Sequence, residues 1–114
     1  MLSAELINKI IKFREDRNWK QFHSVKDLCS GLSIEVSELQ EIFLWKNEKE
    51  VDDVLLDKKS EISDEIADIL IFIVYLVDTL DIDMSSAVIE KIRKNELKYP
   101  IDKSKNSNKK YTEL

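Results

Sequence analysis

Glu35 and Glu38 stand three residues apart, and Glu65 and Asp68 repeat that spacing further along the chain. Residues three apart on a helix share a face, so each pair presents two carboxylates side by side. Ile34, Val36 and Leu39 flank the first pair, and Ile66, Ala67, Ile69 and Leu70 flank the second. Charged groups set among core-forming residues are costly to desolvate unless paired or bound to metal. Four carboxylates converging from two packed helices repel one another, and a divalent cation relieves that repulsion. Ligands that are all oxygen point to Mg²⁺ or Mn²⁺ rather than zinc. The same acids also fit ordinary solvated faces of amphipathic helices, because Glu41, Glu61 and Asp64 lie nearby and 36% of the chain is charged. A di-iron bundle uses Glu-x-x-His on two helices. The sole histidine, His23, lies outside both pairs, which argues against that chemistry.

The elements that must carry these pairs are legible as helices. Ser3 can cap a first helix whose apolar residues Leu6, Ile7, Ile10, Ile11 and Phe13 recur at helical spacing, fading near Asn18. Ser24 followed by Asp27 resembles a capping box, opening a second helix through Leu28, Leu32, Val36, Leu39 and Phe43 to about Trp45. Gly31 inside it costs roughly 1 kcal/mol relative to Ala, so a packing reason is expected. The polar stretch 46–59 holds a short helix within a longer connection. Ser60 is expected to cap a third long helix over about 61–80, and a last one covers about 84–98 before Pro100 stops it. Residues 69–77 are apolar all the way round, the pattern of a helix buried on every side. A domain this small has little with which to cover it, so a subunit interface is expected. A strand remains an alternative for that β-branched run. One all-α helical domain over residues 1–100, followed by a basic tail over 101–114, is the expected organisation.

Composition narrows the classes. The chain has 114 residues, with 18 Lys+Arg against 23 Asp+Glu and a formal net charge of -5. One cysteine excludes an internal disulfide, and there are too few Cys and His for a zinc finger. A single Gly and a single Pro disfavour a turn-rich β fold. No apolar run approaches the ~20 residues of a membrane span, and the N-terminus lacks a signal-peptide pattern, so a soluble cytoplasmic protein is expected, with no membrane partner. The acidic sum makes a nucleic-acid coat unexpected. Residues 91–114 nevertheless carry 8 basic against 3 acidic groups. Cys29 has no partner and is expected to pack as a small buried hydrophobe.

Beyond the carboxylates, the chain resembles the MazG-like, all-α nucleoside triphosphate pyrophosphohydrolases, nearest their small single-domain dCTP pyrophosphatase branch. Glu35-x-x-Glu38, then 26 residues, then Glu65-x-x-Asp68 resembles the ExxE…ExxD signature of the family. Phe13-Arg14-x-x-Arg17-x-Trp19-x-Gln21-Phe22-His23 resembles the branch's opening segment, and Glu35-Val36-x-Glu38-Leu39-x-Glu41-x-Phe43-x-Trp45-Lys46 its first metal helix. Lys91-x-x-x-Asn95-x-x-Lys98-Tyr99-Pro100 and Lys110-Tyr111-Thr112 resemble its closing segments, so the likeness spans roughly 4–114.

The resemblance implies a four-helix bundle completed by dimerisation, commonly a dimer of dimers. It implies Mg²⁺-dependent hydrolysis of a (deoxy)nucleoside triphosphate, such as dCTP, to monophosphate and pyrophosphate, which clears unwanted nucleotides from the pool. Glu35, Glu38, Glu65 and Asp68 then become metal ligands, and Glu38 or Glu41 orients or deprotonates the attacking water. Trp19, Phe22, His23 and Trp45 are the candidate base pocket. Lys91, Asn95, Lys98 and Tyr99 match the segment that contacts phosphate and sugar, with Lys109 and Lys110 reaching from the tail. Phe72 stands where dCTP-specific relatives carry Tyr, and Ile10 where close relatives can have His, so base preference is open. The competing expectation is a non-catalytic helical dimer that acts as an interaction or nucleic-acid-binding module through its basic tail.

Overall fold

The computed structural model describes residues 2–114, which are helical with no strand among them. They form two compact units, Met1–Leu80 and Asp81–Leu114. In the first, α1 spans Ala4–Asp16, α2 Val25–Phe43, α3 Glu48–Asp57 and α4 Lys59–Leu80. In the second, α5 spans Met84–Lys98 and α6 Ile101–Ser104. The run 69–77 is helical, so the strand alternative falls.

Side chains close most of the helix starts. The Ser3 hydroxyl accepts from the Leu6 amide, Ser24 from Asp27, Asn47 from Glu50, and the Asp83 carboxylate from Ser86. Each satisfies an amide that the first turn leaves without a helical partner. Ser60 does not cap α4. The Lys58 carbonyl already accepts the Ile62 amide at 2.9 Å, so the helix begins at Lys59 with Ser60 inside its first turn.

The centre of the first unit is the pairing of α2 with α4. A Cβ built on Gly31 would overlap the Phe72 ring, lying 2.8 Å from Cζ, so the only glycine is where that ring of α4 packs directly on the α2 backbone. That is the packing reason its sequence position called for. Glu35 and Glu38 meet Glu65 further along, and contacts in this order mean that the helices run antiparallel. Leu28, Gly31, Glu35 and Glu38 form one stripe of α2. Glu65, Asp68, Phe72 and Tyr75 form the facing stripe of α4.

Leu28, Val54, Val74 and Tyr75 make up the buried apolar core. Arg14 is completely buried and ties α1 to α4 through Asp78, with Nη2 at 2.6 Å from the carboxylate and the guanidinium 5.0 Å from the Tyr75 ring centre. Only the arginine side of this pair is buried: the Asp78 side chain is 39% exposed, so water shares the carboxylate while Arg14 has no other charge partner among the described residues. The rest of 69–77 is only half-buried, because α1, α2 and α3 pack on α4 without enclosing it. Ile34, Val36, Leu56 and Ile66 stay exposed on the first unit. Cys29 is exposed as well, not buried as expected. No helix among the described residues is long and apolar enough to cross a membrane.

In the second unit Lys91, Asn95 and Lys98 fall on one face of α5 by spacing, all exposed. Tyr99 packs edge-on against Tyr111 at 5.9 Å, and the Lys98 ammonium lies 4.8 Å from the Tyr111 ring centre. The chain after α6 therefore folds back onto the end of α5. Lys109 and Lys110 precede the last turn and are exposed.

Candidate functional site

The α2 and α4 stripes bring carboxylate oxygens of Glu35, Glu38 and Glu65 within 4.8 Å of one another. Glu35 and Glu65 are half-buried, whereas Glu38 is exposed. Oε2 of Glu35 and Oε2 of Glu65 are both shielded from solvent and have no hydrogen-bond donor. Loss of hydration, aggravated by the neighbouring Glu38, Asp68 and Glu65 carboxylates, pushes the Glu35 carboxyl up to about 7. Glu65 is raised for the same first cause, with Glu38 and Asp68 adding repulsion. Protonation and a cation are the two ways to relieve such a cluster, and donors that are all oxygen suit a hard divalent ion.

Asp68 lies outside the three-oxygen grouping and is exposed, though its charge reaches both Glu35 and Glu65. It also lines the cavity beside them. Glu41, one turn beyond Glu38 on α2, is exposed and not part of the cluster.

That cavity, of about 390 Å³, is walled by Lys9, Ile10 and Phe13 of α1, by Trp19 and His23, and by Asp68, Ile71, Phe72 and Tyr75 of α4. Local backbone chemistry sets the Trp19 ring. Asn18 adopts a left-handed conformation (φ 53), and the Trp19 amide reaches back to the Arg14 carbonyl at 3.1 Å. This is a Schellman-type ending, and Asn tolerates its positive φ. Phe13 meets Trp19 edge-on at 5.8 Å, and Arg17 lies over the Phe13 ring at 3.6 Å. A short 3₁₀ turn, Lys20–Phe22, then delivers His23, whose ring is 5.2 Å from that of Tyr75. Burial, helped by the Arg14 charge, lowers the His23 pKa, and burial raises that of Tyr75.

The structure thus gathers Trp19, His23 and Phe72 with Asp68 around one cavity, next to the clustered glutamates. Phe22 and Trp45 are not among the lining residues. Phe22 is mostly exposed, and Trp45 is 90% exposed at a left-handed position (φ 64) just after α2. Lys91, Asn95, Lys98, Tyr99, Lys109 and Lys110 all belong to the second unit. Sequence reading passed over Lys9, Ile71 and Tyr75. Tyr75 stands seven residues after Asp68 and three after Phe72, so the stripe that starts with the acids continues straight to it. Its ring was absorbed into the apolar run. Lys9, four residues before Phe13, carries the same kind of signal on α1.

Comparison with known proteins places this geometry. The model of the MazG-like family matches residues 31–114. Rat dCTP pyrophosphatase 1 is 36% identical over 105 residues, covering 90% of this chain, and human dCTP pyrophosphatase 1 is 34% identical over the same length. The chain spans 62% of the length of these curated relatives. The crystal structure of a pyrophosphatase from Archaeoglobus fulgidus superimposes with a TM-score of 0.80 at 43% identity, covering 84% of this chain and 90% of that one.

Proposed function

The chain belongs to the MazG-like family, and on that premise we propose that it is a Mg²⁺-dependent nucleotide pyrophosphohydrolase. Its substrate is a (deoxy)nucleoside triphosphate, dCTP or a related dNTP, and its role is nucleotide-pool house-cleaning. Water is added across the α–β phosphoanhydride, giving the monophosphate and pyrophosphate. The observation that carries this reading is the pair of buried, donorless oxygens on Glu35 and Glu65 within a cluster that Glu38 completes. A triphosphate is a polyanion and is repelled by such a cluster unless cations stand between them.

Glu35, Glu38, Glu65 and Asp68 hold the metal in this proposal, with Mn²⁺ a workable substitute for Mg²⁺. When bound, the ion supplies Lewis-acid polarisation of a phosphoryl oxygen and charge neutralisation. Glu38, the exposed member of the cluster, or Glu41 one turn on, holds the water and takes its proton. The cavity receives the base: Trp19 and Phe72 give it aromatic faces, worth about 1–3 kcal/mol per stacked base, and His23 offers a polar edge. Asp68 faces both the cavity and the glutamates, so the nucleoside and its phosphates fit end to end along α4. Phe22 and Trp45 join the pocket once exposed surface is covered. Lys91, Asn95, Lys98 and Tyr99, with Lys109 and Lys110, serve phosphate and sugar.

Homo-oligomerisation, as a dimer of dimers, is part of the same proposal. Ile34, Val36, Leu56 and Ile66 leave apolar surface that a second copy covers. Light scattering on the purified chain tests this, and a strictly monomeric mass contradicts it.

The activity is tested by incubating the protein with each canonical dNTP and NTP in Mg²⁺ and separating the products. Monophosphate and pyrophosphate in equal amounts are expected, abolished by EDTA. Orthophosphate as the first product, or no turnover of any nucleotide, overturns the proposal.

A further inference from the structure

Three buried polar atoms near the cavity have no hydrogen-bond partner: Nε and Nη1 of Arg14, and Nδ1 of His23. Both residues pack against Tyr75, the guanidinium 5.0 Å from its ring centre and the imidazole 5.2 Å. Arg14 is completely buried and shares its charge with Asp78 through Nη2 alone. Guanidinium nitrogens are donors only, whereas a neutral imidazole carries one donor and one acceptor. A proton on Nδ1 would set a buried, unpartnered donor in the field of a buried cation. A lone pair there is favoured by the same field. The other charged groups around the cavity are Lys9 on α1, Asp68 on α4 and Arg17, which lies over the Phe13 ring at 3.6 Å and whose charge also reaches Tyr75, with the Tyr75 phenol neutral.

We propose that Arg14 is a positioning residue that fixes His23 as the Nε2–H tautomer, turning the cavity's imidazole edge into a hydrogen-bond donor. The ligand that fits is a base presenting an acceptor, an unprotonated ring nitrogen or a carbonyl oxygen, at that edge. The tautomer stands without the enzymatic reading of the site; the ligand preference rests on it.

His23 is the only histidine, so nitrogen NMR of histidine-labelled protein reports it without assignment. At neutral pH the ligand-free chain should show a protonated Nε2 and an unprotonated Nδ1. A protonated Nδ1, as the other tautomer or as imidazolium, overturns the proposal, whatever the protein hydrolyses. Arg14→Met should move proton population onto Nδ1, and Arg14→Lys should keep the wild-type pattern. An unchanged spectrum in Arg14→Met overturns the role of Arg14. If Arg14→Met does not fold, the wild-type and Arg14→Lys spectra still decide the tautomer. With substrate, His23→Leu should raise KM about tenfold with kcat little changed, the loss of one hydrogen bond. His23→Gln, which keeps a donor near the Nε2 position, should recover most of it. Equal KM values for His23→Leu and His23→Gln overturn the donor assignment. A protein that turns over no nucleotide while showing the expected tautomer overturns the functional reading instead.

Discussion

Two ends of α4 are built on opposite terms. At one, Glu65 joins Glu35 and Glu38 in a cluster whose oxygens lie within 4.8 Å, with a buried oxygen of Glu35 and one of Glu65 lacking any donor. At the other, Phe72 and Tyr75 close an apolar cavity with Trp19 and His23. The acidic end is held together against its own repulsion, while the aromatic end is held by burial. Groups maintained at an energetic disadvantage are candidates for chemistry, and groups maintained at an advantage are candidates for recognition. Substitutions at the two ends should therefore fail differently.

The largest difference is expected in turnover. Glu38→Gln and Glu65→Gln should each lower kcat by roughly a thousandfold, comparable to loss of one preorganised charge-stabilising group, with helical content unchanged by circular dichroism. Near-normal rates in either variant would make the cluster an ordinary solvated face. Glu41→Gln separates the two water-holding assignments, since only the residue that takes the proton should match Glu38→Gln in severity. At the aromatic end, Trp19→Ala should raise KM about tenfold through lost stacking and leave kcat within a few-fold. A collapse of kcat with KM unchanged would erase the division between the two ends.

The same contrast reaches stability with a definite sign. Glu35 titrates above its ordinary value of 4.5, at about 7 in the fold. Between those values the folded state holds more protons than the unfolded one, so its contribution is complete below about 4.5 and is lost as pH rises through about 7. Metal-free protein should then be less stable than Glu35→Gln at pH 8, by on the order of 1 kcal/mol after solvent screening or a few degrees in Tm. The two should converge near pH 4.5. Mg²⁺ should raise the Tm of the wild type and leave that of Glu35→Gln nearly unmoved. A Glu35→Gln protein that is less stable at every pH would show the carboxylate to be structural. His23 contributes with the opposite sign, because its pKa is lowered, but that contribution is common to both proteins and cancels in the comparison.

The acidic end was legible in the sequence because its grammar is local. Two carboxylates three residues apart on a helix must share a face, and Gly31 marked close packing without saying against what. The aromatic end is not local. Trp19 reaches the cavity through the Asn18 turn, His23 through a 3₁₀ turn, and Tyr75 from within a run whose apolar pattern hides it. Periodicity fixes which side of one helix a residue takes, but not which turn carries a ring across to another. The burial of Arg14 was hidden for a related reason: the residue belongs to the opening segment, but in a chain that is 36% charged nothing marks one arginine as the buried one. Trp45 drew attention as an aromatic beside the Glu35–Glu38 pair, yet its left-handed backbone turns it out to solvent.

The smallest expected effect lies where the two ends meet. Gly31→Ala adds a methyl that overlaps the Phe72 ring. In a closed core such overpacking costs about 1–3 kcal/mol, against a gain of about 1 kcal/mol in helix propensity. Phe72 also borders the cavity, so its ring has free volume to turn into. The protein should therefore stay within about 1 kcal/mol of wild type, while the displaced ring narrows the base site and raises KM about threefold with kcat retained. Gly31→Ala combined with Phe72→Leu should return KM toward the value of Phe72→Leu alone, because the shorter side chain clears the new methyl. A loss of 3 kcal/mol or more in Gly31→Ala without a change in KM would mean that Phe72 is fixed in the core. The cavity wall would then belong to the packing of α2 on α4, and the separation of the two ends would stop short of Phe72.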